Sequence, residues 1–180
     1  MEIIASVNSV FSVAERVLGM ADTKQLYQEV ILDHNRKPRN WGMLADATHR
    51  AEGHNPLCGD HLTLTVRLRD EAVDAVNFQG ESCAICKASA SMMTMAVKGR
   101  SRDDAERLVR EFRDLATGKL DAAGPHHLGR LTVFAGVRDL PTRVKCAILP
   151  WHTLHAALNE QSSTTTEADE DPMHAPVGNA

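Results

Sequence analysis

The chain has 180 residues, 43% of them apolar and 4% aromatic, with a formal net charge of −4. That length suits one folded domain whose core is built mainly from aliphatic side chains. The mildly acidic balance, with basic residues only scattered, gives no electrostatic reason to expect nucleic acid, and no apolar run reaches the ~20 residues of a membrane span.

Residues 1–21 are expected to be a dispensable N-terminal extension. The opening MEIIASVNSVFSVAERVLGM carries Glu2 and no basic n-region, which makes it a poor export signal and points to the cytoplasm. Asp22-Thr23 can cap a helix running to about His34, with Tyr27, Val30 and Ile31 on one side. Lys37-Pro38-Arg39-Asn40-Trp41-Gly42 stops it. A loop is expected through His54-Asn55-Pro56-Leu57-Cys58-Gly59-Asp60. Leu62, Leu64, Val66 and Leu68 then alternate with polar residues, as do Val76 and Phe78, so two strands joined near Arg69-Asp70-Glu71 form an antiparallel hairpin.

Ala84 to Lys98 is rich in Ala, Ser and Met and reads as a helix closed by Gly99. Ser101 with Asp104 resembles a capping box, and Leu108, Val109, Phe112 and Leu115 give the next helix an apolar face. Leu131 to Val137 is a short helix or strand. Pro141-Thr142 opens a last helix through about Leu158, where Pro150 predicts a kink or break. Residues 22–160 thus form one domain, and 161–180, Ser/Thr-rich and then acidic, are expected to be a disordered tail. The fold class is α+β, with helices packed on one face of a small antiparallel sheet.

Four cysteines without an export signal favour metal or thiol chemistry over a disulfide framework, although their even number leaves the latter open. Cys58 and Asp60 flank Gly59, whose backbone freedom lets a thiolate and a carboxylate turn to one point; both are competent zinc or iron ligands. The plainer alternative is a turn with a buried cysteine. Cys83 falls at a strand end and helix start, where free N–H groups lower a thiol pKa. Hairpin geometry brings it beside Cys58. Cys146 lies near the start of the last helix and on its own is as well explained as a core cysteine. Cys86 completes Cys83-Ala84-Ile85-Cys86, a C-x-x-C with neither a thioredoxin-like context nor a second C-x-x-C to make a zinc ribbon. The histidines, His54, His126, His127, His152 and His155 among them, are expected at the surface or in caps.

Taken together, the motifs resemble the U-type iron–sulfur assembly proteins, and their SufU branch in particular. The resemblance rests on Tyr27 with Ile31-Leu32-Asp33-His34; Pro38-Arg39-Asn40; Asn55-Pro56-Leu57-Cys58-Gly59-Asp60; Gly80-Glu81-Ser82-Cys83-Ala84-Ile85; Ala88-Ser89-Ala90-Ser91-Met92-Met93-Thr94; and Arg143-Val144-Lys145-Cys146-Ala147. It spans about Leu26 to Leu158. It implies a fold like that of IscU and SufE, and one metal held by Cys58, Asp60, Cys83 and Cys146. In the SufU branch that metal is commonly zinc, and the partner is a SufS-like pyridoxal-phosphate cysteine desulfurase that hands over persulfide sulfur. Downstream cluster scaffold or acceptor proteins then receive it. IscU-type relatives act instead as scaffolds for a [2Fe–2S] cluster, which is the alternative reading of the same ligands.

The long interval between Cys83 and Cys146, with a segment around Lys119 to His127, resembles the insertion of the SufU branch. So does Lys145, where IscU-type proteins have His; Leu140-Pro141-Thr142-Arg143 stands near the place of their chaperone-recognition sequence. Cys86, at a position usually Ser, is a candidate extra sulfur ligand or second persulfide carrier. On this reading Cys58 is the persulfide acceptor, and Lys145 and Arg143 offset the negative charge of three thiolates and one carboxylate around a divalent ion. A C-x-x-C redox protein remains a third reading, one that depends on Cys86 and not on Cys146.

Overall fold

The computed structural model describes residues 27–167. Helix α1 covers 27–36 of these. It is followed by strands β1 (His49–Asn55), β2 (Asp60–Arg69) and β3 (Ala72–Glu81), then helices α2 (Ala84–Val97) and α3 (Arg102–Ala116). A 3-10 helix (Gly129–Asp139), helix α4 (Pro141–Leu158) and a short strand β4 (Ser163–Thr165) complete the order. The expected extension 1–21 lies outside the described residues.

The hairpin forms as the alternation predicts. β2 and β3 pair antiparallel, with Leu64 opposite Phe78 and Val66 opposite Val76. The turn between them holds Asp70 at φ 48° and Glu71 at φ 59°, the left-handed pair whose twist matches that of the flanking strands. β1 pairs antiparallel with β2 from His49 opposite Val66 to Asn55 opposite Asp60. The sequence reading missed β1 because HRAEGHN has no run of large apolar residues; its inward positions are Ala51, Gly53 and Asn55, all buried.

The sheet order is β3-β2-β1-β4, and β4 runs parallel to β1, so the sheet is mixed rather than purely antiparallel. This also moves the start of the expected tail. Ser163 to Thr165 continue the fold because the open edge of β1 accepts them, with Glu52 N–H donating to the Ser162 carbonyl at 2.9 Å; residues 168–180 lie outside the described set. The other edge is closed by residues 40–42: Gly42 N–H donates to the Phe78 carbonyl and Phe78 N–H to the Asn40 carbonyl.

The helices lie against the face carrying Ala51, Gly53, Leu62, Leu64 and Phe78, while Arg50, Glu52 and His61 on the other face make ionic contacts at the surface. Small residues let α2 and α4 approach. Ser89 donates to the Ala147 carbonyl at 2.7 Å and accepts from Trp151 Nε1 at 3.1 Å, so one buried hydroxyl joins the two helices. Trp151 stacks on Phe112 of α3 with ring centroids 4.4 Å apart, and Phe134 of the 3-10 helix closes on Phe112 at 5.4 Å. The end of α1 and the segment after it are pinned to α2, where His34 Nδ1 and the Arg39 N–H both meet Ser91 Oγ, at 2.7 and 2.8 Å.

Two expectations hold at the helix ends. Ser101 Oγ accepts from Asp104 N–H at 3.1 Å, and Gly99 takes φ 79° after α2. One does not hold: α4 runs uninterrupted through Pro150. The proline removes a single backbone donor, but Cys146 to Trp151 and Leu154 are all buried, and this packing holds the helix on both sides of the missing bond. Among the described residues no helix is long and apolar enough to cross a membrane.

Gly53 marks the closest approach of sheet and helix. A Cβ there would collide with Thr153 Oγ1 and lie 3.2 Å from Leu149 Cδ1. Gly53→Ala should therefore lower stability by about 2 kcal/mol, and adding Thr153→Ala should recover part of it. Urea unfolding of the two variants checks this, and an unchanged midpoint for Gly53→Ala refutes the packing claim.

Candidate metal centre

The register of the sheet decides which side chains meet. Asn55 and Asp60 are paired across β1 and β2, so the residues between them form a tight loop: Gly59 N–H returns to the Asn55 carbonyl at 2.9 Å, with Gly59 at φ 70°. A left-handed φ there favours glycine. The loop lifts Cys58 into solvent while Asp60, one step into β2, is 2% exposed. In the neighbouring pair His61 lies opposite Glu81, so the end of β3 delivers Cys83 to Asp60. Asp60 Oδ1 accepts the Cys83 N–H at 2.6 Å.

Cys83 is the N-cap of α2, and its sulfur accepts the Cys86 N–H at 3.5 Å. Cys146 reaches the same place from the second turn of α4. Its Sγ lies 3.1 Å from Cys58 Sγ, 3.4 Å from the Thr142 carbonyl and 3.8 Å from Asn55 Nδ2, which donates to it. One ligand atom from each of Cys58, Asp60 and Cys146 lies within 4.8 Å of the other two. Cys83 is not in that closest set; it adjoins it through Asp60, whose Oδ1 accepts its N–H.

Electrostatics divide the thiols. The Cys146 thiol donates to Cys83 and, with the N–H of Cys86, holds the Cys83 thiol down to about 7 against the cost of burial. Cys146, as the donor and in a buried position, is pushed up. Burial pushes the Cys86 thiol up well above its ordinary range, with the nearby negative charges of Asp60 and Cys83 adding to it. Cys86 therefore backs the site as a buried neutral thiol, outside the closest set.

The basic residues expected to balance the charge are differently placed. Lys145 Nζ is already engaged by Glu167 Oε1 at 2.6 Å. Arg143 is exposed on the first turn of α4, and its charge reaches the half-buried phenol of Tyr27. Among the described residues no histidine joins the group. Two participants escaped the sequence reading. Asn55, completely buried, holds Cys146 through its amide and the loop through Leu57 N–H to Oδ1 at 3.2 Å. An Asn before Pro looks like an ordinary turn residue, so only the pairing register reveals this role. Thr142 contributes a carbonyl, which no sequence pattern marks. Leu57, next to Cys58 in the loop, and Leu140, at the N-cap of the helix that carries Cys146, stand 60% and 51% exposed.

The donor set fits a metal ion. Asp60 Oδ2 is buried and has no hydrogen-bond partner, a costly state for a carboxylate oxygen. A divalent cation among the three atoms would satisfy it.

In chelator-treated protein, alkylation of Cys83 by iodoacetamide should be half-maximal near pH 7, because only the thiolate reacts and its fraction rises through the pKa. Cys86 should stay unmodified over the same range. Site-resolved mass spectrometry reads both, and a Cys83 profile rising only above about pH 8.5, the range of a free thiol, contradicts the hydrogen-bonded arrangement.

Residues 26–168 match the NifU-like N-terminal domain. The chain is 38% identical over 141 residues to the zinc-dependent sulfurtransferase SufU of Bacillus subtilis, covering 78% of this chain and 95% of that protein. It is 32% identical over 154 residues to the iron–sulfur cluster assembly scaffold protein IscU of Streptococcus pyogenes, covering 86% and 96%. A crystal structure from Fervidobacterium islandicum, described as an iron–sulfur cluster assembly scaffold for the SUF system, superposes with a TM-score of 0.68 at 32% identity, over 72% of this chain and 94% of that one. With the α+β fold and the thiol–carboxylate group in place, the match places this chain in the NifU-like N-terminal domain family, among its SufU-type and IscU-type members.

Proposed function

We propose that this protein serves iron–sulfur cluster assembly by accepting persulfide sulfur at Cys58 from a pyridoxal-phosphate cysteine desulfurase and passing it to downstream scaffold or acceptor proteins. The observation that carries this reading is Asp60, whose Oδ2 is buried and unpartnered and whose carboxylate lies within 4.8 Å of an exposed and a buried thiol. The name of the Bacillus subtilis relative supports zinc as the ion and sulfur transfer as the activity. Cys58, Asp60, Cys83 and Cys146 would hold it, three sulfurs and one oxygen, as four-coordinate zinc sites require. Bound there, zinc would keep thiols deprotonated near neutral pH.

The residues divide the work by their anchoring. Cys146 is fixed by Asn55 and Thr142, and Cys83 by the first turn of α2. Cys58 sits exposed on a glycine-flanked loop and is the sulfur free to reach outward. Its thiolate attacks the outer sulfur of the partner's cysteine persulfide. A new S–S bond forms at Cys58 as the partner's S–S bond breaks, and the electron pair leaves on the partner's thiolate. Delivery repeats the exchange, with the acceptor's thiolate attacking the outer sulfur and Cys58 leaving as thiolate. All four cysteines are free, which fits a reducing compartment such as the cytoplasm.

The scaffold reading, in which the same four residues carry a transient [2Fe–2S] cluster, is favoured by the single oxygen donor among sulfurs. Asp60 would be the weak ligand that eases release, and several relatives are named as scaffolds.

Elemental analysis of the purified full chain should find about one zinc per chain, as a single tetrahedral site dictates. Removing it with a chelator should lower the melting temperature. Cys58→Ser should reduce stimulation of a cysteine desulfurase about tenfold or more, while Cys86→Ser leaves it largely intact. Normal stimulation by Cys58→Ser would end the sulfur-acceptor assignment; a brown protein with a cluster spectrum and no stimulation would establish the scaffold instead.

A further inference from the structure

Away from the thiols, the C-terminal half of α2, the middle of α3 and the start of the 3-10 helix line a cavity of about 250 Å³. Its floor is apolar and buried: Met92, Leu108 and Leu131 are at most 7% exposed. Its mouth is different. Met95 stands 53% exposed, and Arg100 and Arg130 are exposed beside it.

The charge at this mouth is unbalanced. Arg39, Arg50, Arg67 and Arg102 each meet a carboxylate, but among the described residues Arg100 and Arg130 meet none. No Asp or Glu lines the cavity. Glu111, which meets the lining residue His127, is consumed by it: the His127 backbone N–H and Nδ1 both meet its carboxylate at 2.7 Å. His34 at the back wall is held by Ser91 and adds no counter-charge. In a chain of net charge −4, two guanidinium groups without a carboxylate partner among the described residues thus stand around an apolar hole.

We propose that this cavity docks an acidic peptide segment of a partner protein, one apolar side chain filling the hole and flanking carboxylates pairing with Arg100 and Arg130. The volume decides between occupants. It falls below the roughly 300–1,000 Å³ of ordinary small-molecule sites and suits one leucine-sized anchor. The arginines supply fork-shaped donors that match carboxylates. Met92 and Met95 give the wall the adaptability of surfaces that accept varied apolar anchors. The position adds a function distinct from sulfur handling. Met95 lies twelve residues beyond Cys83 on one helix, roughly 18 Å along its axis at ~1.5 Å per residue. A partner's acidic segment can hold this surface while the thiols face another protein, raising the local concentration of the two.

The test uses the full chain with ¹³C-methyl methionine and the probe acetyl-Glu-Leu-Asp-Glu-amide. Saturable shifts of the Met92 and Met95 methyls are expected, weakening with added salt. Arg100→Gln/Arg130→Gln, two exposed positions whose change leaves the core intact, should weaken binding about fivefold or more. Replacing the probe's leucine by serine should weaken it comparably. Equal binding of the uncharged acetyl-Gln-Leu-Asn-Gln-amide, or no effect of the double variant, overturns the proposal. So does tighter, competing binding of octanoate, which would mark a small-molecule site, or dilution-dependent shifts of the same methyls without probe, which would mark a contact between two copies of this chain.

Discussion

The antiparallel register of β1, β2 and β3 is the constraint from which the site follows. With Asn55 opposite Asp60 and His61 opposite Glu81, the β1–β2 loop and the end of β3 must lie side by side at one end of the sheet. A slip of one residue would turn Asp60 to the other face and break its 2.6 Å bond from the Cys83 N–H. That short charge-assisted bond works in both directions. It fixes one carboxylate oxygen and the entry into α2, and it leaves the second oxygen buried without a hydrogen-bond partner.

The core exists to bring a third element to that end. Cys146 is far from the other ligands in sequence, and its position depends on where α4 lies across the sheet. Three contacts set this: the closely approached Gly53, the shared hydroxyl of Ser89 and the stacking of Trp151 on Phe112. Pro150 is tolerated because these contacts bracket it. The same packing makes Cys146 and Cys86 inaccessible and leaves Cys58 as the thiol that solvent or a partner meets first.

Much of this was legible in the sequence. Period-two alternation gave the hairpin, the Ser101 and Gly99 signals gave helix boundaries, and the hairpin alone placed Cys83 beside the Cys58 loop. What stayed hidden depends on long-range packing. β1 has small and polar inward residues because α4 presses on it, so its periodicity lacks hydrophobic contrast. β4 is three residues whose only reason to be a strand is a vacant sheet edge. The continuity of α4 through Pro150 is decided by burial, which local propensity does not contain. Within the site, the residue types were readable but the differences among the thiols were not, since hydrogen bonding and burial at particular depths set them. Lys145 was read as a counter-charge for the thiolates; its partner Glu167 belongs to a segment that composition alone assigns to the tail.

Leu57 stands exposed beside Cys58 in sequence, and Leu140 stands exposed at the start of the helix that carries Cys146. Apolar side chains this exposed beside reactive groups act as a gasket once another surface presses on them. A persulfide exchanged inside such a seal is shielded from dissolved reductants that would strip its outer atom, and charges trapped there feel one another more strongly than in water. For the sulfur transfer proposed above, such apolar side chains would favour direct hand-over between proteins above release of sulfide into bulk solvent.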